Sequence, residues 1–400
     1  MKQNVEESAI KTRITGCLVG LVIILAACAP QAARDVAPVT ASDPYRLDPA
    51  VRPVAQSLEL VIDPADAGYS GSARIELEIE EPRKVIRLHA TDMTIESVRV
   101  SDGAGDTDVG FSQDDMGQLL ISGTEAFPAG PYVLSIDFTN DYNVNGEGIF
   151  RSESEDGYYV FSQFEAIHAR EAFPCFDEPG FKFPWQLTIT VPEDQLAITN
   201  TPVVSESTGD GMTRSEFAAT PALPSYLIAV AVGDFDTVDI PGLSVPARVI
   251  VPAGKAGLAA HAVETTPPLL AYLEDYFGQP YPFAKLDLIA TFGAFSGAME
   301  HPGAITYSDH ILLLDDSASA AQKAGQIRVT AHELAHQWFG NLVTMQWWDD
   351  LWLNESFADW MADKTAEHVF PEYKGDLAQL RTILRIMELD AGPTAQPIRH

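Results

Sequence analysis

The sequence predicts a multi-domain protein: a mainly antiparallel β domain, then an α+β domain that carries its chemistry on helices. Three observations predict this. The chain has 400 residues, 46% of them hydrophobic, enough for at least two cores. From about Tyr45 to Asp239 short runs alternate with period two between Pro, Gly and Asp breaks. After about Pro241 the texture changes to apolar strands mixed with long helical stretches. The expected division is a targeting segment at 1–27, a flexible tether at 28–45, the β domain at 46–240 and the α+β domain at 241–400. No internal repeat is visible.

The N-terminus reads as a targeting segment. Lys2, Lys11 and Arg13 form a basic start, diluted by Glu6 and Glu7, and 14–27 is apolar but too short to span a bilayer. It ends in Leu25-Ala26-Ala27-Cys28, which resembles the lipobox of bacterial lipoproteins. The resemblance implies acylation of Cys28 and a lipid-anchored place in a bacterial cell envelope, facing the periplasm or otherwise outside the cytoplasm. An ordinary secretory signal with an incidental cysteine is the alternative. Cleavage there removes Cys17, and acylation of Cys28 leaves Cys175 without a disulfide partner.

Within the β domain, Ser57-Leu58-Glu59-Leu60-Val61-Ile62, Ala73-Arg74-Ile75-Glu76-Leu77-Glu78-Ile79 and Trp185-Gln186-Leu187-Thr188-Ile189 alternate as half-buried strands do. In the second domain strands are expected at 247–251, 286–292 and 304–307, with a helix near 258–277. A long helix is expected near 319–339 with Gly340-Asn341 capping its end, and another near 350–369, stopping before Pro371.

The formal net charge is -32, from Asp+Glu 57 against Lys+Arg 25. So acidic a surface repels phosphate backbones, which excludes nucleic acid as a natural partner and favours cationic ligands. Solubility is the plainer reason for such a charge.

The central motif is His332-Glu333-Leu334-Ala335-His336. On a helix, residues four apart share a face, so both imidazoles can reach one zinc ion. Glu333 is rotated about 100° from His332. That places its carboxylate to take a proton from a water whose pKa zinc lowers to about 7. Downstream, eighteen residues separate His336 from Glu355. A second helix packed on the first can bring Glu355 to the same metal, and two His with one Glu leave a fourth position open, as a catalytic site needs.

His332-Glu333-Leu334-Ala335-His336-Gln337-Trp338-Phe339-Gly340-Asn341, followed by Trp347-Trp348-Asp349-Asp350-Leu351-Trp352-Leu353-Asn354-Glu355, resembles the M1 family of zinc aminopeptidases. Gly297-Ala298-Met299-Glu300 resembles that family's exopeptidase signature. Gln163-Phe164-Glu165 and Ala172-Phe173-Pro174-Cys175-Phe176-Asp177-Glu178-Pro179 resemble the N-domain segment that reaches its active site. The resemblance implies a thermolysin-like catalytic domain and one zinc per chain held by His332, His336 and Glu355, with Glu333 as general base. It implies that Glu300, Glu165 and Gln163 bind the free α-amine of a peptide substrate and that Gly297, Ala298 and Met299 hold its backbone. A buried ammonium needs negative acceptors, and such an anchor admits only the first peptide bond to the metal.

The chain also departs from the family's pattern. His301 stands where the family has Asn after its signature Glu, and is expected in the site wall. Asp359 and Asp363 could orient a zinc histidine but are expected on a solvated helix face. The family's oxyanion-stabilising tyrosine is expected beyond His400, since Tyr373, the only tyrosine after Glu355, lies too close to it. The simplest expectation is a catalytic domain incomplete at its C-terminus, with the 400-residue chain a fragment and natural truncation the alternative. The expected reaction is removal of N-terminal residues from peptides. Its rivals are a catalytically impaired lipoprotein that binds peptide N-termini, and a zinc endopeptidase.

Overall fold

The computed structural model describes residues 45–393 and 395, apart from 104 and 156. The targeting segment, Cys28, residues 29–44 of the tether and His400 lie outside the described residues.

Among the described residues four sheets form. The largest has the spatial order Val203–Gly209, Met212–Phe217, Trp185–Pro192, Val51–Val61, Gly68–Ile79, Gly130–Asp141, Thr94–Ser101, Asp106–Asp108. Its alternation is the one the sequence carries: Leu58, Leu60, Ala73, Ile75, Leu77 and Ile79 are buried, while Glu59, Arg74 and Glu78 face water. Neighbours pair antiparallel with one exception, Val51–Val61 against Trp185–Pro192, which run parallel. A four-stranded sheet, Leu196–Ile198, Ala231–Gly233, Tyr158–Gln163, Gly148–Glu153, carries the N-domain segment toward the site. A small sheet of Arg83–His89, Gln118–Phe127 and Gly110–Gln113 completes the β region.

The fourth sheet belongs to the C-terminal half, in the order Phe235–Asp239, Ala247–Pro252, Leu286–Thr291, Ala304–Ser308, Ala298–Met299. It begins inside the segment that alternation assigned to the β domain, because Phe235–Asp239 pairs with Ala247–Pro252. The three central strands are parallel and both edges antiparallel. Leu286–Thr291 and Ala304–Ser308 are buried at every position, as parallel strands covered on both faces are. Helix α1 (Ala260–Phe277) makes the crossover between the first two parallel strands. Ala298–Met299 is a short edge strand with one side free of a sheet partner.

Four more α-helices follow among the described residues: α2 (Asp309–Leu312), α3 (Ala320–His336), α4 (Leu351–Val369) and α5 (Gly375–Asp390). Ser319 starts α3 with a capping box: its hydroxyl accepts from the Gln322 amide at 3.3 Å and the Gln322 side chain accepts from the Ser319 amide at 3.0 Å. The regular helix ends at His336, three residues before the expected end, and the Asn341 amide closes back on the His336 carbonyl at 3.1 Å just after Gly340. Gly340 has φ 125°, and a Cβ there would meet the Asn354 side-chain oxygen at 2.4 Å. The glycine makes room for Asn354. Helix α4 matches its expected span, whereas α2 and α5 carry no signal in the sequence reading. One hydrophobic core runs from Val51 and Leu58 in the large sheet through Leu288 and Leu334 to Met361 of α4.

Candidate active site

Helices α3 and α4 pack with His332, His336 and Glu355 facing one another. One potential ligand atom from each lies within 4.8 Å of the other two. The Nε2 atoms of His332 and His336 are 2.8 Å apart. Glu355 carboxylate oxygens lie 3.4 Å from His332 Nε2 and 3.7 Å from His336 Nε2.

The far side of each imidazole is committed. His332 Nδ1 donates to Asp359 Oδ1 at 3.1 Å. His336 Nδ1 faces Asn354 Oδ1 at 2.8 Å and the Phe339 carbonyl at 3.1 Å. Those partners are acceptors, so both Nδ1 atoms carry hydrogen and the two Nε2 lone pairs converge on one point. Two imidazole nitrogens that meet beside a carboxylate can share a proton or, with both lone pairs free, hold a metal ion, and the donor set fits one. Burial lowers the proton affinity of His332, but hydrogen bonds to Asp359 and Glu355 outweigh it and push the pKa up to about 10. Surroundings that draw a proton so strongly favour any cation at that place. Asp359 is solvent-exposed, as expected, yet one turn beyond Glu355 it also lies on the face of α4 that meets His332.

Glu333 lies among the same charged groups, close enough to feel His332, Glu300 and Glu355. It is buried, one carboxylate oxygen has no hydrogen-bond partner, and burial raises its pKa well above the ordinary value. Beside it stands a second acidic group, in which Glu165, Glu300 and Glu355 each place an oxygen within 4.8 Å of the others. Burial, then the charges of Glu300, Glu355 and Glu333, hold the Glu165 pKa far above the carboxylate range. Among the described residues neither Glu165 nor Glu300 pairs with a lysine or arginine.

Residues to which the sequence reading gave no site role fix Glu300. Its carbonyl accepts from Gln337 Nε2 at 3.0 Å and Asn341 Nδ2 at 2.8 Å, and Asn354 Nδ2 approaches its carboxylate at 3.4 Å. Asn354 thus bridges His336 and Glu300; its place directly before Glu355 was the available signal. Gln163, at the end of its strand, donates to the Met299 sulfur at 3.5 Å, linking the β region to the edge strand. Gly297 has φ 113° and its amide donates to Ser308 Oγ at 2.9 Å, turning the chain into Ala298 and Met299.

His301 is fully buried, outside the ligand group, and burial lowers its pKa to about 4, so it is a neutral packing residue. Asp177 turns from the site, taking Arg170 Nε at 2.8 Å and Ser225 Oγ at 2.6 Å. Tyr373 packs beside Phe370, ring centroids 6.5 Å apart, in a groove between α3 and α4.

Fold and site together define a class: peptidases whose helix-borne His-Glu-x-x-His pair is completed by a glutamate from a following helix. The Peptidase family M1 domain matches residues 261–400 and the Peptidase M1 N-terminal domain residues 52–227. The chain belongs to peptidase family M1. It is 36% identical over 363 residues to Aminopeptidase M1-B of Oryza sativa subsp. japonica, covering 88% of this chain and 41% of that protein. Leucyl aminopeptidase of Saccharolobus solfataricus is 37% identical over 332 residues, 82% of this chain and 41% of its own length. Endoplasmic reticulum aminopeptidase 1 of Homo sapiens is 34% identical over 370 residues, 88% and 39% respectively. The chain spans about two fifths of the length of these curated relatives.

Proposed function

We propose that this chain carries the active centre of a zinc aminopeptidase, one that removes N-terminal residues from peptides. The observation that carries this reading is the adjacency of two groups sharing Glu355: a two-histidine donor set and a carboxylate cluster with no lysine or arginine partner among the described residues. His332, His336 and Glu355 would hold one zinc ion. When bound, zinc would polarise the carbonyl of the first peptide bond and acidify a water molecule.

The remaining chemistry belongs to side chains. Glu333, buried and raised in pKa, takes the proton from the attacking water and returns it to the leaving amine. Glu300 and Glu165 receive the substrate's α-ammonium, with the Gln163 amide beside them; the cation relieves the mutual repulsion of their charges. The free edge of Ala298–Met299, entered through Gly297, pairs with the substrate backbone as an added strand. An amine anchored there leaves only the first peptide bond within reach. The relatives' names, aminopeptidases throughout, support the same reading.

The test is zinc content and turnover of an aminoacyl anilide by the purified chain, with the N-acetylated anilide as control. One zinc per chain and cleavage of the free-amine substrate alone is expected. Stoichiometric zinc without turnover would favour instead the reading as a catalytically impaired protein that binds peptide N-termini. Cleavage of the acetylated substrate would make the protein an endopeptidase.

A further inference from the structure

The faces of α3 and α4 at the site form a ladder that extends past the three candidate ligands. Along α3 the facing residues are Arg328, His332 and His336, four apart; along α4 they are Glu355, Asp359 and Asp363, also four apart. Contacts step in opposite directions on the two helices: His336 to Glu355, His332 to Glu355 and Asp359, Arg328 to Asp359 and Asp363. The last rung is a fork. Arg328 Nη2 donates to Asp359 Oδ1 at 3.0 Å and its Nε to Asp363 Oδ1 at 2.6 Å.

The same Asp359 oxygen that takes the Arg328 hydrogen also takes His332 Nδ1–H at 3.1 Å. Asp359 is otherwise half exposed. A carboxylate so placed, without a second anchor, turns toward water and leaves the imidazole free to rotate. A lysine, a single point charge, could not span both carboxylates as the planar guanidinium does.

Resting on the zinc reading above, we propose that Arg328 is a positioning residue of the metal centre. Through its fork on Asp363 and Asp359 it fixes the carboxylate that orients His332, and so keeps His332 Nε2 aimed at the metal. Its contribution is to metal affinity, transmitted through Asp359, and not to any contact with substrate.

The test is zinc affinity by chelator competition on the full chain, for the wild type, Arg328→Gln, Asp359→Asn and the double variant. Losing an outer partner of a metal-bound histidine weakens metal binding roughly ten- to a hundredfold. Arg328→Gln should weaken zinc by that amount and change the visible spectrum of the cobalt-substituted protein. In the Asp359→Asn background the same substitution should weaken zinc less than about twofold further, because the route to His332 is already cut. Wild-type affinity in Arg328→Gln overturns the proposal, and so does an equal loss with and without Asp359. Should Arg328→Gln not fold, Arg328→Lys replaces it: at least threefold weaker binding is expected, and wild-type affinity overturns the fork. Failure of the zinc reading looks different. The wild type would then bind no stoichiometric zinc, or His336→Ala would keep it, and the positioning role would fall with it.

Discussion

His332 and His336 aim their Nε2 atoms at each other across 2.8 Å, each with its Nδ1 tied to an acceptor behind it. Two imidazoles held this way are preorganised for a cation, so metal removal should be felt by the fold. At free zinc a thousandfold above its dissociation constant, binding adds about 4.1 kcal/mol to stability. A chelator should lower the melting temperature of the wild type and leave His336→Ala unchanged, since that variant should purify without zinc. A metal-loaded His336→Ala would disprove the ligand assignment.

Glu333→Gln separates metal binding from proton transfer. The amide keeps the shape of the side chain in its buried site but cannot accept the proton. Zinc content should stay at one per chain while kcat falls by roughly 10²- to 10⁴-fold. Loss of zinc together with activity would mean that Glu333 holds the site together.

Glu300→Ala should raise KM and lower kcat/KM for unblocked peptides, with zinc retained. A charged hydrogen bond lost in a buried site costs about 1.5–3 kcal/mol, a decrease of roughly ten- to a hundredfold. An equal decrease on an N-acetylated substrate would assign Glu300 to architecture and not to amine recognition.

Behind the catalytic sheet, Asp287 accepts from Lys285 Nζ at 2.8 Å and from both arms of Arg248, at 2.9 and 2.8 Å. Burial opposes its ionisation, but Lys285 and Arg248 outweigh burial and its folded pKa lies below 3.8. The stabilisation from its charge is therefore complete above pH 3.8 and disappears as the pH falls through the lower folded value. Asp287→Asn should cost about 3–5 kcal/mol at neutral pH by stranding buried Lys285. It should also flatten this acid limb in urea unfolding followed against pH. A variant as acid-sensitive as the wild type would show that other carboxylates dominate the limb.

The lipid anchor rests on Leu25-Ala26-Ala27-Cys28 alone. Cys28→Ser should release the protein from membranes or leave it unprocessed, read by fractionation and gel mobility in a bacterial host. Unchanged membrane association would leave an ordinary signal segment as the better reading.

The candidate ligands were legible because their chemistry is local: the two histidines are one turn apart and Glu355 follows at a fixed interval. Asp359 was legible too, since its distance of four from Glu355 put it on the ligand face, yet acidity on a helix reads first as solvation. Arg328 became meaningful only with α4 against it. The parallel pairing of Val51–Val61 with Trp185–Pro192 left no trace, because period-two alternation is the same in either direction. Gly340 shows that one local signal can hold two reasons: the chain turns there to bring the Asn341 amide onto the His336 carbonyl, and the missing Cβ also admits the Asn354 side chain, which the sequence did not show.

Asn354 also links the two halves of the proposed reaction, bonded on one side to His336 and on the other to Glu300, whose carbonyl is held by Gln337 and Asn341 from the segment just after α3. On that reading the helix is a ruler with two marks, the docking point of the ammonium and the point of scission. The stride along the substrate is then set by the span between those marks and owes nothing to the side chain being removed. Selectivity for that side chain and the one-residue step can therefore evolve independently.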